Sequence, residues 1–339
     1  MDIRNRRALK EEARKQLSSA PNQKKIVALY MGASLAVSLV MVLVSTVLDT
    51  MISTTSGLSN LGNRVMLQTV QTALPIVQLV IMPFWDYGYI GAILGISNGR
   101  DAQPRELVSG FRIAGPILRL MVLQFGITLL LTFGSMYLCS TIFVLTPFSK
   151  PLTDVLMPLM ENPAMDPVAL STDPAVAAAL SATVIPMLVI LLVIYCVLVF
   201  PILYLFRMAP YCLLEFPKYG ARAALLNSRF LMRRNRWNLL KLDLSFWWYY
   251  LLMLIPTALC YGDTLLPLFG IQLPFGPTAA YLIFYVLYAV VQFIFTCSFQ
   301  NHVEVTYANA FHALKPKPQP QPQPQSQENG VVLGNIFQM

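Results

Sequence analysis

The basic side chains of this chain are sorted by position. Six apolar runs can be read along its 339 residues, and of its 24 lysines and arginines only Arg64 and Lys150 fall between the first and second runs or between the third and fourth. All the others fall in segments that would share one face of a membrane. That bias constrains class and orientation together, because cytoplasmic segments of membrane proteins retain lysine and arginine. The expectation is an all-α membrane protein with six transmembrane helices and both termini cytoplasmic. Composition agrees: 56% of the residues are hydrophobic and 12% charged, against roughly 25% charged in a soluble domain.

The spans are expected at about 26–48, 68–96, 116–145, 177–206, 242–261 and 277–299, each near the length that a hydrocarbon core of about 30 Å requires. Residues 1–25 precede them as a basic, helix-prone segment, ALKEEARKQL. Its Leu9, Ala13 and Leu17 recur every fourth residue and give a narrow apolar stripe. Pro21 marks its end. The stripe and the adjoining Lys24 and Lys25 predict a helix lying on the inner leaflet. So long a polar lead is unlike a cleavable signal peptide, and the first run is expected to stay as a span. Residues 313–339 hold the tail PKPQPQPQPQSQ, whose Pro/Gln repeat cannot build a core and points to disorder or polyproline II.

Prolines interrupt several spans. Pro75 and Pro83 lie in the second, Pro186 and Pro201 in the fourth, so kinks are expected there. The longest outer segment, 146–176, sets Asp154, Glu161, Asp166 and Asp173 against Lys150 alone. A short basic or amphipathic helix precedes the first, third and fifth spans, which predicts three related helical hairpins, each introduced on the cytoplasmic side.

The most basic inner stretch is 207–241. Within it Arg222, Arg229, Arg233 and Arg236 are spaced by seven, four and three, so one helix would carry them on one face. Guanidinium groups take phosphate in pairs of hydrogen bonds. The face therefore reads either as plain positive-inside anchoring or as recognition of an anionic lipid or phosphorylated ligand. The net charge of +8 sits beside the spans, so anionic headgroups rather than nucleic acid are the expected partner.

Ionisable groups near the spans complete the candidates. Asp86 lies inside the second run, where a carboxylate either pairs or lines a polar path. Arg119, at the start of the third span, is the cation that topology brings nearest to it. Asp243 follows Lys241 at the start of the fifth span and is expected to clamp against the arginine face. His302 and His312 match no zinc spacing, and the five cysteines make no metal motif. No P-loop, dinucleotide-binding or serine-hydrolase motif occurs, so no catalytic residue, metal or cofactor is assigned. A proton relay would need a chain of ionisable groups across the membrane, and few are visible.

Several segments then resemble a family. ALKEEARKQL, ELVSGF, MAPYCLLEFP and SRFLMRRNRWNLLKLDLSFWW are similar in content and order to the bacterial integral membrane family called domain of unknown function 975. Ser228, Met232, Trp237, Leu242, Leu244, Ser245, Phe246 and Trp248 occupy the places of its characteristic motif, and Tyr307 and Phe311 fit its closing segment. Arg233 and Arg234 replace a Lys-Gly pair often found there. The resemblance covers nearly all of residues 7–314 and implies a bacterial multi-pass plasma-membrane protein; it brings no activity with it. A more distant similarity joins it to the membrane region that precedes some glycerophosphodiester phosphodiesterase domains, and no such catalytic domain is present. The reading that follows is a non-enzymatic accessory, scaffolding or envelope protein. The alternative is a permease with its site at the proline-bearing second and fourth spans.

Overall fold

A computed structural model describes residues 3–54, 61–150, 153–154, 174–268, 274 and 276–315. Most of the acidic outer segment and all but the start of the Pro/Gln tail lie outside the described residues. The described chain is helical throughout, with no strand among the described residues. Five helices are long and apolar enough to cross a membrane, and six if one bent pair counts as a single span.

Helix α1 (Arg6–Ser19) leads into α2 (Gln23–Thr54) and α3 (Leu61–Ser97). A 3-10 turn, Pro104–Val108, and the short α4 (Ser109–Arg112) lead into α5 (Ala114–Leu145). Helix α6 (Pro174–Ile194) follows and widens into a π turn at Tyr195–Val199. Next come α7 (Ala209–Glu215), α8 (Gly220–Met232), α9 (Arg236–Leu244) and α10 (Trp247–Cys260). Helix α11 (Gly262–Leu268) precedes α12 (Pro277–Phe295). A second π turn, Thr296–Gln300, joins α12 to α13 (Asn301–Leu314).

Neighbouring spans pair as hairpins, α2 with α3, α5 with α6 and α10 with α12. Short helices precede α2, α5 and α10 and pack into the same core. Two breaks differ from expectation. Helix α3 runs on through Pro75 and Pro83, while the fifth span bends by 60° between α9 and α10. In the fourth span the π turn ends at Val199, two residues before Pro201. A residue without an N–H cannot close the regular turn, and a widened one accommodates it.

The core sits at one end. Its buried residues come from α1, the base of α2, the last turns of α3, the first turns of α5, and α7, α8, α9 and α13. The opposite halves of the spans expose large apolar side chains, among them Val47, Leu79, Leu130, Leu145, Ile185 and Leu188. Such a surface has lipid as its natural solvent. Helix α13 is the axis of the packed end. Val303, Val305, Thr306, Tyr307, Ala308, Ala310 and Phe311 are all buried. The sixth apolar run therefore does not stop at 299; the helix continues into the packed end as far as Leu314.

The stripe on α1 is real but faces protein. Leu9 and Ala13 are 0% exposed and pack with α13 rather than lying against a leaflet. Polar contacts fix the register. Asn309 Nδ2 donates to Gln16 Oε1 at 2.9 Å, and Gln16 Nε2 donates to the Ser97 carbonyl at 3.1 Å. Because α1 and α13 touch, the N-terminal helix and the end of the described chain lie at the same end of the bundle.

Candidate functional site

Among the described residues Asp243 is the most heavily bonded acid. Arg207 Nη1 lies 2.8 Å from its Oδ2. Tyr307 donates to its Oδ1 at 2.5 Å, Tyr204 donates to Oδ2, and Tyr250 meets the Tyr307 hydroxyl at 3.0 Å. The guanidinium also lies over the Tyr307 ring, 4.8 Å from its centroid. The partner of Asp243 is thus Arg207, at the end of the fourth span, and not the arginine face of α8. The chain brings them together because α9 ends at the bend, which turns Asp243 inward toward α13.

Two further contacts close this end. Lys10 Nζ donates to the Ser245 carbonyl at 2.8 Å and lies 3.9 Å from the centroid of the Phe246 ring. Burial first, and then the neighbouring Arg6 and Arg14 charges, lower its pKa from the ordinary lysine value. Lys315 pairs with Glu215, and the same ammonium lies 3.1 Å from His312 Nδ1. His312 Nε2 in turn meets Ser97 Oγ at 3.0 Å, and His302 meets the Lys10 carbonyl at 3.3 Å. Both histidines join helices to one another. Four of the family-like motif residues serve the same core, while Trp237 and Leu244 are exposed. Ser228 donates to the Leu205 carbonyl at 2.8 Å, and Met232, Leu242 and Phe246 are fully buried.

Asp86 and Arg119 are not partners. Asp86 accepts from the Tyr30 hydroxyl at 2.7 Å, with Tyr30 stacked on Tyr89 at 4.3 Å. Tyr89 continues to Asn301 at 2.7 Å. Arg119 instead lines a cavity of about 610 Å³ with Arg222 and Tyr219, walled by Leu118, Val122 and Leu123. Helices α3 and α5 do touch, but Asp86 turns to α2 and Arg119 to α8.

The four arginines are not on one helix. Arg222 and Arg229 belong to α8, Arg233 caps it, and Arg236 opens α9 after the turn at 233–235. The first three share the exposed face opposite Ala221, Ala224, Leu225, Ser228 and Met232, with Leu226 and Phe230 exposed beside them. The turn creates a grouping that a continuous helix would not have made. Arg233, Arg234, Arg236 and Trp237 line a cavity of about 560 Å³ whose other wall is Cys196, Phe200, Pro201 and Tyr204 of the fourth span. Neither ion pair among the described residues involves these arginines.

A third arrangement went unread in the sequence. Gln71, Gln78 and Trp85 stand seven apart on α3, and each donates to α2. Gln71 reaches Asp49 Oδ1 at 2.6 Å, Gln78 reaches Ser38 Oγ at 3.1 Å, and Trp85 reaches the Tyr30 carbonyl at 3.1 Å. With Asp86–Tyr30 these bonds form a polar seam along the hairpin. Its half remote from the packed end opens into a cavity of about 670 Å³ shared with Tyr281 and Tyr285 of α12. The seven-residue spacing of Gln71 and Gln78 was the available signal. Among the described residues, no three His, Cys, Asp or Glu side chains cluster as a metal site would need.

No curated protein and no solved structure matches the chain. A family model does, and it ends with α12, short of the α13 segment that resembled a family closing motif. That model, described as Protein of unknown function (DUF975), matches residues 1–295, and the chain therefore belongs to that family.

Proposed function

We propose that the protein is a multi-pass component of a bacterial plasma membrane, with its packed end in the cytoplasm, that engages anionic lipid in a non-enzymatic accessory or scaffolding role. The observation that carries this reading is the cavity between the fourth span and the α8–α9 turn. Three arginines stand at its rim, an apolar span forms its wall, and Trp237 is 74% exposed beside it. An anionic phospholipid offers both halves of the matching chemistry: phosphate for the guanidinium groups and acyl chain for the wall. Arg119 and Arg222 repeat the pattern on the other flank of α8. The acids near these groups are occupied in joining helices, Asp243 with Arg207 and Glu215 with Lys315, which suits a scaffold.

The test is native mass spectrometry of the protein purified in mild detergent with phosphatidylglycerol and phosphatidylcholine supplied equally. The wild type is expected to retain phosphatidylglycerol preferentially, and replacement of Arg222, Arg229, Arg233 and Arg236 by Gln to abolish the preference. An unaltered preference removes the reading.

A permease is the second reading. The outer cavity at Pro75, between α2, α3 and α12, is the observation in its favour.

A further inference from the structure

The outer cavity has a composition unusual for a space between spans. Helix α2 turns Ser38, Ser45, Asp49 and Ser53 toward it, spaced by seven, four and four, which is one helical face. From Ser53 to Ser38 that face descends about 22 Å at 1.5 Å per residue, against a hydrocarbon core of about 30 Å. The cavity thus reaches from the outer surface into the interior of the bilayer. The Gln78–Ser38 hydrogen bond lies at its deep end, and the Tyr30–Asp86 pair lies further in along the same seam.

Asp49 is the charged group lining it. One of its oxygens accepts from Gln71, and neither ion pair among the described residues involves it. Asp49 is exposed at the mouth of the cleft, where its carboxylate is open to a cation arriving from solution. Across the cavity stand Tyr281 and Tyr285, one turn apart on α12 with their rings 6.2 Å apart. A carboxylate facing aromatic rings, with hydroxyl and amide groups between, is the chemistry that receives an organic ammonium ion. The volume of about 670 Å³ lies within the usual range for small-molecule sites, about 300–1,000 Å³.

We propose that this cleft binds a small organic cation from the outer side, with Asp49 as its counter-ion and Tyr281 and Tyr285 as its aromatic wall. The proposal deepens the permease reading by naming a class of solute. It is independent of the lipid contact at the packed end.

Isothermal titration of the full chain in nanodiscs with choline chloride tests it, with 3,3-dimethylbutan-1-ol as the neutral isostere. Saturable choline binding is expected, about tenfold or more weaker for the isostere. Asp49→Asn is expected to remove it, and Asp86→Asn, deeper in the seam, to leave it unchanged. Should D49N fail to fold, Tyr281→Phe against Tyr281→Leu decides: the ring-retaining variant keeps binding and the other loses it. No saturable binding up to about 10 mM choline, tenfold above a Kd of about 1 mM, equal binding of the isostere, or equal displacement by sodium and choline overturns the site. Binding without flux in liposomes keeps the site and removes only the permease.

Discussion

Gly88 of α3 and Gly110 of α4 lie back to back. A Cβ on Gly88 would fall 1.9 Å from the Leu107 carbonyl oxygen, and one on Gly110 would fall 1.9 Å from that of Phe84. The two hydrogens let the inner loop press directly onto the last turns of the second span. Gly88→Ala and Gly110→Ala are each expected to destabilise the protein by about 2 kcal/mol or more, because backbone must move to admit the methyl group. Gly126→Ala and Gly134→Ala in α5, where nothing lies within 4 Å, should be neutral or gain up to about 1 kcal/mol in helix preference. Unfolding midpoints of the four variants in one detergent check the contrast.

The Arg207–Asp243 pair predicts an ordered series. Asp243→Asn leaves the guanidinium without its counter-ion and should lower stability by about 3 kcal/mol, the lower end for a broken buried pair, since Arg207 is 35% exposed. Tyr307→Phe removes the hydrogen bond to the charged carboxylate together with the contact to the Tyr250 hydroxyl and should cost about 2 kcal/mol. Denaturant titration followed by tryptophan fluorescence measures both. Equal losses would mean that the ion pair contributes nothing beyond its hydrogen bonds.

Leu9 tests whether α1 is part of the core or a surface helix. Leu9→Ala should destabilise by about 2–4 kcal/mol and speed amide exchange in α13, since the two helices pack together. A helix resting on lipid would instead lose membrane affinity and leave α13 protected.

Orientation is open to direct measurement. In a variant lacking the native cysteines, Arg229→Cys should react with an impermeant maleimide in inside-out vesicles and stay unlabelled on intact cells. Labelling of intact cells would invert the topology.

Much of the architecture was legible because lipid imposes it locally. An apolar run of sufficient length needs no distant partner to be recognised, and the basic residues mark its side. The α1 stripe was equally visible in Leu9, Ala13 and Leu17. What it covers was not, because α13 lies some 290 residues away in sequence and its polar letters suggested an end to the helix. His302, Asn309 and Glu304 look solvent-bound as letters, yet each finds a partner in Lys10, Gln16 or Tyr211. The arginine spacing was read on one continuous helix, and the turn at 233–235 divides it. Asp243 shows the same limit: a bend of 60° chose Arg207 over nearer cations, and no periodicity encodes a bend.

The packed end has a mechanical consequence. Helices that share a buried core at one end and expose large apolar side chains along their opposite halves would behave in a bilayer like ribs on a common hub. When the surrounding membrane thins or thickens, they answer by changing their tilt at the free margin, at a fraction of a kcal/mol per ångström of mismatch. The clefts between them there, including the one beneath Asp49, would widen or narrow with the lipid in which the protein sits.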